Sequence, residues 1–153
     1  MATTHTIGSL QRLSASTLAA QLLAEQAPGS GAPTIAVIDV RDDDHIGGHI
    51  KGSQHVPSAS FDAHLTTLIR QLKDTQTVVF HCALSQQRGP GAALKYLRVR
   101  NKVLPNYQRL VDGKEQQVFV LDKGFVGWQE LYGTDERLTE GYRKELWADG
   151  YWM

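Results

Sequence analysis

The sequence predicts a single α/β domain built on a mostly parallel sheet with helices on both faces, and three observations carry that expectation. Short apolar, β-branched runs alternate along the chain with segments of helical spacing. The runs are apolar at successive positions, the pattern of strands buried on both faces. The chain has 153 residues, 41% of them hydrophobic, which is enough for one core without metals or disulfides. One domain over residues 1–153 is expected, with a core over about 10–132 and a C-terminal helical cap over 133–153.

The elements follow in order. Ser14 and Ser16 can cap a first helix in which Leu18, Leu22 and Leu23 recur at helical spacing. Pro28 to Pro33 is a loop too short to separate domains, and Thr34 to Val40 is the first buried strand. Asp42 to Pro57, rich in Gly, Asp and His, reads as a surface loop. Phe61 to Leu72 returns to helical spacing through Leu65, Leu68, Ile69 and Leu72, and Thr77 to Phe80 is a second strand. Pro90, suited to a first helical turn, opens a helix over Ala92 to Arg100. Gln117 to Leu121 is a third strand, stopped by Gly124. The tail from Asp135 is expected to start as helix and to pack Tyr142, Trp147, Tyr151 and Trp152 as a cap.

Sixteen basic residues balance sixteen acidic ones, so the total charge points neither to nucleic acid nor to an anionic membrane. No run approaches the roughly 18 apolar residues of a membrane span, and the first ten residues lack a basic region followed by an apolar stretch. A soluble protein of the cytoplasm or nucleus is expected. Cys82 is the single cysteine, which excludes an internal disulfide and a structural zinc cluster. Its thiol serves either burial or chemistry.

The segment from Val79 to Pro90 argues for chemistry. A buried strand ends in His81-Cys82, five residues follow (Ala83, Leu84, Ser85, Gln86 and Gln87), and Arg88-Gly89-Pro90 opens a helix. A tight loop between a strand and a helix start can turn successive backbone N–H groups toward one centre, and the positive end of the helix adds to them. The same dipoles favour a thiolate nucleophile. Arg88 brings a planar fork that matches two oxygens of a phosphate-like group. Cys82 and Arg88 are thus the candidate catalytic pair, with Ser85 and the loop amides as further oxyanion ligands.

The remaining polar candidates have structural readings. Asp39 and Arg41 flank a strand end, where a charge needs a partner, and are expected to form an ion pair bracing the loop. His81 can fix the loop backbone through its ring, and His49 reads as a hydrogen-bonded fold residue. His45, His55 and His64 show no metal-ligand spacing, so no metal is expected. Asp42-Asp43-Asp44 lacks the glutamate of a calcium loop and reads as a helix cap or solvated turn. Lys95, Arg98, Arg100 and Lys102 read first as a solvated helix face, with a surface for an acidic or phosphorylated partner as the alternative.

Residues 81 to 90 resemble the active-site loop of the rhodanese-fold M-phase inducer dual-specificity phosphatases and of their small plant and fungal relatives, some described as arsenate reductases. Asp39-Val40-Arg41 with Gly48-His49-Ile50-Lys51-Gly52-Ser53, and Gly124-Phe125-Val126-Gly127-Trp128, are similar to two further signatures of rhodanese-like domains, and all occur in family order. The resemblance implies a rhodanese-like fold and a phosphatase acting on a phosphorylated protein, or an arsenate reductase acting on a small oxyanion. Neither needs a bound cofactor. The reductase would need an external thiol such as glutathione or glutaredoxin. Sulfurtransferases of the family have a loop one residue shorter, which demotes sulfur transfer. Gln87 stands where the M-phase inducers carry a glutamate proposed as proton donor, which leaves a non-catalytic phospho-binding module as a further alternative. The cysteines linked to zinc in the plant relatives have no counterpart in this tail. The oligomeric state is not legible.

Overall fold

The computed structural model describes residues 6–104 and 115–148. Its centre is a five-stranded sheet in the order β1 (Gln11–Leu13), β6 (Gln117–Leu121), β5 (Thr77–His81), β2 (Ile35–Asp39), β4 (Gln54–His55), parallel at every pairing. Asp39 lies opposite His81 in the β2–β5 register, which brings two strand ends to one place. A second, two-stranded antiparallel sheet joins β3 (His49–Ile50) to β7 (Thr139–Glu140).

The two-residue period of the strands sorts their side chains onto two faces. Ile38, Val78, Phe80, Val118 and Val120 pack under α2 (Phe61–Gln71) and α3 (Arg88–Val103). Val37, Val79 and Leu121 pack under α1 (Ala15–Glu25) and α4 (Gly124–Tyr132). Cys82 continues the first set and His81 the second, so the nucleophile candidate and its neighbour point to opposite sides of the sheet. Ser14 caps α1 by accepting from the Thr17 N–H, as its position predicts. Among the described residues no helix is long and apolar enough to cross a membrane.

Several boundaries differ from the sequence expectation. β1 was not anticipated: its three residues are mostly exposed and only Leu13 is buried, so it carries no hydrophobic pattern. Two short strands, β3 and β4, lie inside the segment read as a loop; each is only two residues long and polar on at least one side. Helix α3 begins at Arg88 rather than Ala92 and runs on to Val103. Gly124 stops β6 and also starts α4, all of whose first six residues are buried. The tail is not helical from its start. A turn over Asp135 to Leu138 leads into β7, and helix α5 (Lys144–Ala148) comes only afterwards. Tyr142 and Trp147 still cap the fold: the Tyr142 hydroxyl donates to Gln129 at 2.6 Å and the Trp147 indole to the Gly47 carbonyl at 2.9 Å. Tyr151 and Trp152 lie outside the described residues. Within the basic run Lys95, Arg98 and Lys102 are exposed, but Arg100 is buried beside Gln116 and does not belong to a solvated face.

Candidate active site

Strand β5 delivers Cys82 to the carboxyl edge of the sheet, with 3% of its surface exposed, and α3 starts above it. The Gly89 N–H, in the first turn of α3, points at the sulfur with an N···Sγ distance of 3.3 Å. Glycine eases this approach, because a Cβ at residue 89 would lie 3.2 Å from the His81 Cα and 3.3 Å from the Cys82 nitrogen, closer than ordinary contact. The positive end of α3 therefore faces Cys82.

Between Cys82 and Arg88 the chain bends through Ser85, whose φ of 55° is the left-handed conformation used where successive N–H groups turn to one side. The backbone N–H groups of Ala83, Leu84, Ser85, Gln86, Gln87 and Arg88 donate to no described residue. The Ser85 side chain is fully buried and its Oγ has no hydrogen-bond partner among the described residues, while Leu84, Gln86 and Gln87 are exposed at the rim. Outside the loop, Arg12 of β1 donates to the Ser85 carbonyl at 3.1 Å. Nothing in the sequence near Arg12 signals this role, since the contact joins residues 73 apart.

From the other side, α4 grips the loop. The Phe125 and Val126 N–H groups donate to the Cys82 and Ala83 carbonyls at 3.0 and 2.9 Å. Gly124 makes this possible: its φ is +57°, and a Cβ there would sit 2.4 Å from the Ala83 oxygen. The Phe125 ring then packs under the guanidinium of Arg41, 4.3 Å away, and stacks near His81.

Asp39 and Arg41 are both fully buried and pair as expected. Arg41 donates through Nε at 3.0 and 3.1 Å and through Nη2 at 2.7 Å to the two Asp39 oxygens, and Nη2 also reaches the Gly48 carbonyl. Burial alone would raise the Asp39 carboxyl, but the charges of His81 and Arg41 and the Arg41 hydrogen bonds hold it well below the usual carboxylate range. His81 sets its Nδ1 against the Cys82 carbonyl at 3.1 Å, and a carbonyl can only accept, so Nδ1 carries the proton. Burial pushes its imidazole down, against the pull of Asp39. These three residues brace the loop from beneath and none faces its mouth. His45 stacks on His55 with ring centroids 3.7 Å apart, His49 lies 3.3 Å from the Glu140 carboxylate, and His64 is exposed. Among the described residues no group of three His, Cys, Asp or Glu is arranged to hold a metal ion.

Asp42 to Asp44, expected as a helix cap or a solvated turn, do form a turn, but Asp42 and Asp44 turn their carboxylates to Arg88 rather than to water alone. Arg88 Nη1 and Nη2 donate to the two oxygens of Asp44 at 2.8 and 2.6 Å, and Nη1 also donates to Asp42 at 3.2 Å. The Asp44 hydrogen bonds raise the Arg88 pKa, and those from Arg88 lower the Asp44 pKa. Asp42 in turn accepts from Ser58 Oγ and the Ala59 N–H. A run of three aspartates 44 residues before the arginine gives no sequence signal of this contact, which depends on β2 and β5 being adjacent.

Comparison with known proteins is consistent with this geometry. A model of the rhodanese-like domain matches residues 19–131. The chain is 43% identical over 100 residues to the dual specificity phosphatase Cdc25 of Arabidopsis thaliana, a stretch that covers 63% of this chain and 63% of that protein. It is 42% identical over 98 residues to arsenate reductase 2.2 of rice, Oryza sativa subsp. japonica, covering 63% of this chain and 71% of the other. A solved yeast protein tyrosine phosphatase of the rhodanese family superposes with a TM-score of 0.73 at 32% identity, over 94% of this chain and 99% of that one.

Proposed function

The chain belongs to the rhodanese-like domain family, and on that footing we propose that it is a cysteine-dependent protein tyrosine or dual-specificity phosphatase. One observation carries the reading: a lone cysteine beneath the first turn of α3, joined to Arg88 by a five-residue loop whose amides have no acceptor among the described residues. Such a loop fits a tetrahedral dianion, with the amides and Arg88 holding three oxygens and the fourth directed away from the sulfur. Cys82 Sγ attacks phosphorus in line, the bond to the leaving oxygen breaks, and water then cleaves the phosphocysteine to phosphate and free thiol. Gln87 cannot protonate the leaving group, so phenolic esters, whose oxygen leaves without a strong acid, suit this site best.

The similarity to the rice arsenate reductase favours a second reading on the same loop. There Cys82 forms a sulfur–arsenic bond with arsenate and releases water. A first external thiol attacks the sulfur, forming a mixed disulfide as the electron pair passes to arsenic and arsenite leaves; a second thiol restores Cys82. With one cysteine in the chain, both thiols come from outside, as from glutathione or a glutaredoxin. The deciding experiment compares p-nitrophenyl phosphate turnover with glutathione-dependent arsenate turnover on one preparation. Phosphate release without added thiol beyond a stabilising reductant supports the phosphatase; arsenate reduction alone, at a useful rate, supports the reductase. Cys82→Ser abolishes both, and substantial activity left in that variant refutes both mechanisms.

A further inference from the structure

Arg88 has two claimants. In the oxyanion reading its guanidinium binds substrate, yet in this structure its Nη1–Nη2 edge is held by Asp44, and Asp42 shares Nη1. Of five N–H donors on a guanidinium, three are engaged, which leaves Nε–H and one Nη2–H on a single edge. The cluster of one cation and two carboxylates is a net anion at the entrance to a loop that has to attract one.

The two acids are not equivalent. Asp42 is tied to Ser58 and Ala59 and so fastens its own segment to the turn before α2. Asp44 accepts from backbone N–H groups within its own turn, that of Asp42 among them, and meets Arg88 with both oxygens; among the described residues Arg88 is its one side-chain partner. Both partners are about one-third exposed, at 33% and 32% of their side chains, so the pair is accessible to an incoming anion.

We propose that Asp44 is a positioning residue for Arg88, a built-in counter-anion that holds the guanidinium by one edge and competes with the oxyanion for it. The proposal rests on the reading of the loop as an oxyanion site. It gives the third aspartate position of the run a function that a solvated turn does not.

The substitution Asp44→Asn tests it, because the amide keeps an oxygen to accept from Arg88 and from the Asp42 N–H but removes the charge. The readout is protection of Cys82 from iodoacetamide by sulfate and by inorganic phosphate, with KM and kcat for p-nitrophenyl phosphate alongside. Asp44→Asn is expected to lower the half-protecting concentration and KM by up to roughly fivefold, the upper scale of a partly exposed pair, without a matching gain in kcat. Asp62→Asn, which removes a carboxylate paired with Lys95 instead, is expected to leave protection unchanged. Protection in Asp44→Asn equal to or weaker than in the unaltered protein overturns the proposal. Arg88→Ala separates the two levels. If anions protect the unaltered protein but protect Arg88→Ala equally well, the assignment of Arg88 as oxyanion ligand fails first. If protection depends on Arg88 but is indifferent to Asp44→Asn, only the counter-anion role fails. Should Asp44→Asn melt far below the parent, Asp44→Ser carries the same comparison.

Discussion

Replacing Arg41 by methionine tests the brace beneath the loop most severely. The substitution removes three donations to Asp39, at 3.0, 3.1 and 2.7 Å, and one to the Gly48 carbonyl at 2.9 Å, while the Arg41 backbone N–H keeps its own bond to Asp39. Both side chains have no exposed surface, so water does not replace the lost partner. Breaking a buried pair from one side costs about 3–5 kcal/mol, since it leaves a charge without compensation. One term offsets this: Arg41 Nη1 is itself buried with no partner among the described residues, so methionine removes an unsatisfied donor. At about 2–4 °C per kcal/mol for a chain of this size, Tm is expected to drop by roughly 6–20 °C. His45 and His81, 3.4 and 3.7 Å from Asp39, can take up a proton in response, so the loss should shrink as pH falls from neutrality. Urea unfolding of Arg41→Met, Asp39→Asn and the double variant measures the coupling. The double variant should cost clearly less than the two single losses added together. A cost below about 1 kcal/mol for Arg41→Met, or simple additivity, refutes the brace.

Three more expectations follow from the same geometry. Gly124→Ala forces an alanine into φ of +57° and its Cβ against the Ala83 carbonyl, so it should cost at least about 2 kcal/mol and reduce kcat by displacing the loop; unchanged melting and turnover would contradict the close approach of α4. Arg12→Ala removes the hydrogen bond to the Ser85 carbonyl and should raise KM for p-nitrophenyl phosphate about fivefold, with Arg12→Lys partly restoring it; equal KM values would show that β1 does not support the loop. Burial lowers the pKa of His81 and His45 below 6.5, so below that pH the unfolded chain binds protons that the folded chain refuses. Stability is therefore fully present above about pH 7 and declines as pH falls through the unfolded value; a Tm that holds level or rises from about pH 7 to 5 would contradict this sign.

What the sequence disclosed and what it withheld divide along the range of the interactions. Val37, Val79 and Phe80 announce strands because burial on both faces is written into each residue, and Cys82, Arg88 and Gly89 announce a loop because the chemistry needs them within seven positions. Phe125 shows a middle case. Its motif was legible as a family signature, but its reason is three-dimensional: the backbone of α4 holds the Cys82 carbonyl while the ring lies against Arg41 and His81. β1 and the tail lacked any comparable pattern, because a three-residue strand with one buried side chain and a two-residue strand carry no period to read. Asp44 was misread for the strongest reason of all. A carboxylate in a polar turn has the same local sequence whether it faces water or an arginine, and only the adjacency of β2 and β5 distinguishes them. In the proposed oxyanion site the cation, Arg88, is identified by its neighbours in sequence, whereas the residue proposed to tune its affinity comes from the loop after the neighbouring strand. Substitutions at Asp42 and Asp44 should accordingly tune binding while leaving the nucleophile and its loop amides intact.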